Sequence, residues 1–185
     1  MANGSSEVKT KGDFSPSLFF GRIKYMKLDW KKLLKIAYKE AQKSQWPSTQ
    51  NGAILINDKG RVLLAAVNGF PDGIKATKER KIKPLSKKYG VCAERNLIYQ
   101  AAKKGIKTGG MTMVCCWAAC TDCARAIIQS GIKRLVTHKQ ALERSYDWKE
   151  NIDFALAMLK EAGVEVIIYD GKIGAGKILR KKEFW

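Results

Sequence analysis

The sequence lacks any apolar run long enough to matter to a membrane. Its longest stretches, GAILI at Gly52, VLLAAV at Val62 and VEVII at Val164, fall far short of the roughly 20 residues a spanning helix needs. Residues 1–25 also lack the apolar segment and small-residue cleavage site of a secretory signal. That stretch carries Ser, Gly and Lys with one SLFF patch and reads as a loosely ordered leader. With no export signal and an odd five cysteines, a full disulfide framework is not expected, and metal or catalytic use in a reducing, cytoplasmic compartment is the better expectation. Acidic residues are scarce too. Against 35 Lys and Arg stand 17 Asp and Glu, a formal charge of +18. This favours any polyanionic partner, whether nucleic acid or a phosphorylated small molecule, without choosing between them. No internal repeat is present.

What is there is one domain's worth of alternating helix and strand signals. From Asp29 to about Ser44 the apolar residues Trp30, Leu33, Leu34, Ala37 and Ala41 recur at helical spacing behind an Asp N-cap. Two β-type runs, GAILIN and RVLLAAVN, flank Asp58-Lys59-Gly60 and predict an antiparallel hairpin. A polar, Lys-rich loop follows from about Phe70 to Tyr89. Helix is predicted over 93–104, 121–129 and 151–161, and strand over 111–117, 132–137 and 164–168, with Gly105, Gly131 and Gly163 as stops. The order α-β-β-α-β-α-β-α-β implies a three-layer α-β-α sandwich around a mixed five-stranded sheet.

The chemistry is concentrated at two predicted helix starts, Cys92-Ala93-Glu94 and Cys120-Thr121-Asp122-Cys123. Helix N-termini favour thiolate over thiol, because unpaired N–H groups and the positive dipole end face the sulfur. Three thiolates from Cys92, Cys120 and Cys123 select zinc and leave a fourth tetrahedral position for water. Glu94, two residues beyond a ligand, is placed to take a proton there and return it to a ring nitrogen. A CxxC alone is equally a redox pair or half of a structural zinc site. The joint pattern, C-A-E and then C-x-x-C, is similar to the zinc deaminase signature. It departs in having Cys rather than His as first ligand and Ala119 rather than Pro before the second pair. An all-thiolate set is more electron-rich than one containing His, and the pH optimum is expected to shift accordingly.

Beyond these motifs the chain resembles the deoxycytidylate (dCMP) deaminases, of the cytidine deaminase-like fold, from about Trp30 to Ile168. The likeness runs through S-x-x-P-S-T at Ser44–Thr49, N-G-F-P-D-G-I at Asn68–Ile74, C-A-E-R-N, C-A-R-A-I-I-Q-S-G-I-K and the late A-x-x-M-L-K-E-A-G-V-E-V. The resemblance implies a zinc deaminase domain at 26–170 and hydrolysis of dCMP to dUMP in pyrimidine deoxynucleotide metabolism. It implies one zinc per chain, since no Cys or His lies between Gly73 and Gly90 to hold a second. By position, Asn68 contacts the deoxyribose hydroxyl, Ala93 belongs to the substrate contacts, and Ser44, Ser48 and Thr49 hold the 5′ phosphate. Some relatives carry Arg where this chain has Ser48, and Lys43 is expected to stand in. The family pattern further implies a homo-oligomer, often a hexamer, with dCTP and dTTP as effectors and Mg²⁺ accompanying the regulatory nucleotide.

Other features carry blander expectations. Residues 171–185 read as a flexible basic tail; G-K-I-G-A-G-K at Gly171–Lys177 has phosphate-loop spacing, but Ile178 replaces the hydroxyl residue and no helix can follow. Cys115 and Cys116 are expected in the core, His138 at an exposed strand end, and Trp117 either in the core or against the base. Two rivals remain on sequence grounds: a deaminase acting on a base in RNA or single-stranded DNA, favoured by the charge, and a non-catalytic zinc-containing nucleic-acid-binding module. The N-G-F-P-D-G segment and the phosphate-site residues speak against the first and Glu94 against the second, so nucleic acid and membrane are both set aside as partners.

Overall fold

The computed structural model describes residues 28–181, 183 and 184, so the expectation for the leader over residues 1–25 lies outside the described residues. The first helix, α1 (Trp30–Ala41), starts where the sequence places it, with the Asp29 carboxylate accepting the Lys32 N–H at 2.9 Å. Leu33, Leu34, Ala37, Tyr38 and Ala41 form its buried stripe. The strands β1 (Gly52–Ile56) and β2 (Val62–Val67) pair antiparallel, turning through Gly60 at φ +76°, a left-handed conformation glycine adopts without steric cost. Gly52 is needed for a different reason. A Cβ there would lie 2.3 Å from the Ala37 carbonyl oxygen and 2.5 Å from the Ala41 nitrogen, so only glycine lets β1 lie this close to α1.

The rest follows the expected order with two additions. After a 3₁₀ turn (Glu79–Lys81) come α2 (Leu85–Tyr89), α3 (Ala93–Lys103), β3 (Thr112–Cys115), α4 (Thr121–Gln129), β4 (Arg134–His138), α5 (Lys139–Glu143), α6 (Lys149–Glu161) and β5 (Glu165–Tyr169). The short helices α2 and α5 fall where the sequence shows no period. The sheet order is β2-β1-β3-β4-β5, antiparallel at β1–β2 and β1–β3 and parallel at β3–β4 and β4–β5. This is the mixed five-stranded sheet of the α-β-α sandwich.

Strand alternation sorts the core into two layers. Ala53, Leu55, Met113, Cys115 and Leu135 face Leu97 of α3, Ile127 of α4 and Leu159 of α6. Ile54, Ile56, Val114, Cys116 and Val136 face α1. Cys115 and Cys116 are thus both core residues, on opposite faces of the sheet. Among the described residues no helix is long and apolar enough to cross a membrane.

Past residue 170 the structure departs from the expectation of a flexible tail. Ile173 and Ile178 pack into the α1-side core, Ile178 with no exposed surface. The Gln42 side chain donates to the Lys177 carbonyl at 3.1 Å, and Gln50 exchanges hydrogen bonds with Leu179: backbone N–H to carbonyl at 2.8 Å, and Leu179 N–H to the Gln50 side-chain oxygen at 2.9 Å. Residues 171–179 therefore form a strap across the sandwich, ending in the two-residue ladder β6 (Leu179–Arg180) with β7 (Glu183–Phe184). His138 anchors the start of this strap and is buried rather than exposed: the Tyr38 hydroxyl donates to its Nδ1 at 2.6 Å, and its Nε2–H donates to the Gly171 carbonyl at 3.0 Å.

Candidate active site

The sheet brings the starts of α3 and α4 together. Cys92 is the N-cap residue of α3 and Cys120 that of α4, each with extended backbone, while Cys123 lies in the first turn of α4. Neither capping sulfur closes a side-chain cap bond, so both are left to face the same point. The three Sγ atoms lie within 4.8 Å of one another. Tetrahedral zinc with Zn–S bonds of about 2.3 Å sets its sulfurs about 3.8 Å apart, so this trio fits zinc with little adjustment. The donor set is soft and all-thiolate, as zinc accepts.

The three sulfurs also perturb one another's affinity for protons. The Cys120 thiol is pulled well down, because Cys123 and Cys92 both donate hydrogen bonds to its sulfur. Cys92, the donor in that pair with Cys120, is pushed up to about 12, and Cys123 is raised for the same reason. Arg95 lies alongside: its Nη2 donates to Cys92 Sγ at 3.9 Å and its Nη1 stands 3.9 Å from the Asp122 carboxylate.

Glu94, one helix position past Ala93, is 2% exposed. Burial raises its pKa to about 8, with the negative charge at Cys120 adding to the shift. Its Oε2 accepts from the Asn51 side-chain N–H at 3.2 Å, and the Asn51 oxygen in turn accepts from the Cys115 thiol at 3.4 Å. Neither Asn51 nor Cys115 was singled out from the sequence as a site residue. Asn51 opens the strand segment, where one polar residue ahead of GAILI gives no local sign of its partner.

These groups form the floor of a cavity of about 440 Å³ lined by Cys92, Glu94, Cys120, Asn68 and Trp117 among others. Trp117 does both things the sequence allowed: it packs into the α1-side core and walls the cavity, its indole N–H donating to the Gln50 carbonyl at 2.7 Å. Asn68 is held rigidly, its oxygen accepting from Ser44 at 2.8 Å and from the Asn51 backbone N–H at 2.7 Å, and its amide donating to the Thr49 carbonyl at 2.8 Å.

The remaining expected substrate residues divide. Ser48 and Thr49 line the cavity. Ser44 is buried and is occupied with Asn68, so it orients that side chain rather than facing the cavity. Ala93 has its side chain in the core, leaving its first-turn backbone N–H as the group it can offer. Lys43, expected to stand in for an arginine at position 48, does not line the cavity; its exposed ammonium pairs with the Glu40 carboxylate at 2.7 and 2.8 Å. The cations that do line the cavity include Arg180 and Lys181 at the end of the strap and Lys83 and Lys87 from the Lys-rich loop.

Comparison with known proteins agrees with this geometry. The model of the cytidine and deoxycytidylate deaminase zinc-binding region matches residues 28–139. A deoxycytidylate deaminase of Mus musculus is 32% identical over 147 residues, spanning 74% of this chain and 78% of that protein. An uncharacterized deaminase from the luxG 3′ region of Aliivibrio fischeri is 35% identical over 126 residues, spanning 66% and 81%. Among solved structures, the apo dCMP deaminase of cyanophage S-TIM5 superposes with a TM-score of 0.61 at 25% identity, covering 78% of this chain and 100% of that one.

Proposed function

The chain belongs to the cytidine and deoxycytidylate deaminase zinc-binding family, and we propose on that premise that it hydrolyses dCMP to dUMP and ammonia. The observation that carries the reading is the buried Glu94 in one cavity with Cys92 and Cys120, two of the three clustered thiols. Zinc held by Cys92, Cys120 and Cys123 supplies Lewis acidity that makes water nucleophilic near neutral pH. In this reading one zinc serves each chain.

Glu94 moves the protons. It takes one from the attacking water and delivers it to the pyrimidine N3, then serves the departing amino group, so that the C4–N bond breaks to ammonia and C4 keeps the oxygen. Asn51 fixes which Glu94 oxygen faces away from the ring. Asn68, locked by Ser44 and Thr49, presents its amide to the deoxyribose hydroxyl, with the Ala93 backbone N–H toward the base. Ser48 and Thr49 offer hydroxyls to the 5′ phosphate, supported by their place on the cavity wall. The family likeness extends the proposal to a cytoplasmic homo-oligomer, hexameric in the family pattern, controlled by dCTP and dTTP with Mg²⁺ beside the regulatory nucleotide.

The test is ultraviolet-monitored turnover of dCMP, dCTP, deoxycytidine and a cytosine-containing oligonucleotide, with zinc assayed on the same sample. Preferred turnover of dCMP at about one zinc per chain is the expected result. Turnover of the oligonucleotide alone, or a metal-loaded protein inert toward all four, overturns the reading.

A further inference from the structure

We propose that Arg180, delivered by the C-terminal strap, is the residue that recognises the substrate's 5′ phosphate monoester; this rests on the nucleotide deaminase reading above. The segment Ser48-Thr49 brings two hydroxyls to the cavity but no cation of its own, and Lys43 does not line it. The missing charge comes from the far end of the chain. Arg180 bridges Thr49 in a backbone pair, and its Nη1 lies 3.4 Å from the Thr49 hydroxyl. The guanidinium carbon stands 5.2 Å from the centre of the Trp117 ring, so the cation lies against the wall of the same cavity.

Its orientation is fixed before any ligand enters. Nη2 donates to the Asp147 carboxylate at 2.6 Å and to the Arg144 carbonyl at 3.3 Å, with Nε at 3.4 Å from the same carbonyl. Those contacts hold one edge of the guanidinium and leave Nη1 toward the Thr49 hydroxyl. Asp147 is also shared with Lys181 at 3.4 Å. The Arg180 side chain is only 13% exposed, and the strap that carries it is itself tied down at Gly171, Lys177 and Leu179. A permanently charged guanidinium anchored through Nε and Nη2 still has Nη1 beside the Thr49 hydroxyl to give to a phosphate oxygen, a division of labour that a single lysine ammonium paired with Asp147 does not reproduce.

The experiment compares zinc-loaded wild type with Arg180→Gln, Arg180→Lys and Arg180→Gln combined with Ser48→Arg. Steady-state kinetics on dCMP and deoxycytidine are paired with titration calorimetry of dUMP and deoxyuridine. For Arg180→Gln the KM for dCMP and the Kd for dUMP should rise about 100-fold, the loss of charge-assisted contacts to one phosphate. Deoxycytidine, which has no phosphate to bind, should keep its kcat/KM within about threefold. Arg180→Lys, which keeps the ion pair with Asp147, should lose about tenfold on dCMP alone, and Ser48→Arg should recover much of the Arg180→Gln defect. Parallel losses on dCMP and deoxycytidine, or an unchanged dUMP affinity, overturn the assignment. A wild type that deaminates dCMP while Arg180→Gln still binds dUMP normally keeps the function and removes Arg180. A wild type inert toward dCMP that nonetheless prefers dUMP over deoxyuridine, with the preference lost in Arg180→Gln, keeps Arg180 and removes the function.

Discussion

Replacing Glu94 by Gln should remove turnover and at the same time stabilise the metal-free protein. Glu94 is almost wholly buried, and burial is the first reason its pKa stands at about 8 against an ordinary 4.5, the charge at Cys120 being the second. An unfolded chain gives up this proton near pH 4.5, whereas the folded chain keeps it until about pH 8. The carboxyl's contribution to stability is therefore fully present below pH 4.5 and is lost as the pH rises through 8. Between pH 4.5 and pH 7 the cost accumulates at about 1.4 kcal/mol per pH unit, which comes to about 3 kcal/mol at neutrality. Gln has the same shape, can still accept from Asn51, and carries no charge to bury. The chelated Glu94→Gln protein should thus be up to about 3 kcal/mol more stable than wild type at pH 7, a urea midpoint shift on the order of 1 M, and nearly equal to it at pH 4.5. With zinc restored, dCMP turnover should fall by about 10²- to 10⁴-fold with metal content unchanged. Urea unfolding of the chelated pair across pH 4.5 to 8, followed by tryptophan fluorescence, measures the first effect, and the dCMP assay the second. Parallel stability curves for the two proteins would refute the buried-charge argument, and turnover within tenfold of wild type would refute Glu94 as proton carrier.

Two further predictions concern the strap. Ile178→Ala, at a site with no exposed surface, should cost about 2–4 kcal/mol in chemical unfolding, whereas a loose tail would lose less than about 0.5 kcal/mol. His138, whose pKa is lowered chiefly by burial, resists a proton that the unfolded chain binds near pH 6.5; stability is whole above that pH and drops as the pH falls below it. His138→Gln should flatten the unfolding midpoint between pH 6.5 and 5, and an unaltered slope would place the acid sensitivity elsewhere.

The five-stranded order and the metal site could be read from the sequence because each is encoded locally. Apolar residues recur at the right period in α1, Asp29 caps it, Asp58-Lys59-Gly60 turns the hairpin, and the ligand cysteines sit where strand signals give way to helix signals. The short helices α2 and α5 span about one turn each and show no period. His138 was misplaced because nothing in RLVTH tells that Tyr38, 100 residues earlier, and Gly171, 33 later, close over its ring. The strap failed the same way. GKIGAGKIL carries only two large apolar residues in its first eight, spaced for neither helix nor strand, and each is ordered by a neighbour distant in sequence. Arg180 lies 131 residues from Thr49, so its part in the cavity is a property of the fold alone.

That separation has a consequence for substrate choice. The floor of the cavity, Asn51, Cys92, Glu94 and Cys120, lies with Cys123 behind it wholly within residues 28–139, the span that matches the family model. The phosphate end contains Arg180 and its holder Asp147, which lie beyond that span. The matched region thus holds the groups for deamination together with the Ser48 and Thr49 hydroxyls, and the chain that follows it adds the arginine for the phosphate. The two parts are joined through rigid contacts, the Thr49–Arg180 bridge and the Trp117 ring, rather than through a loop that could adapt. A relative that kept the floor but closed the cavity with a different C-terminal segment would run the same reaction on a differently substituted pyrimidine. The +18 charge, which on sequence grounds favoured any polyanion, acts at this site through the few cations that the fold brings to the cavity, and the small number of groups held there suits a single phosphate better than a polynucleotide track.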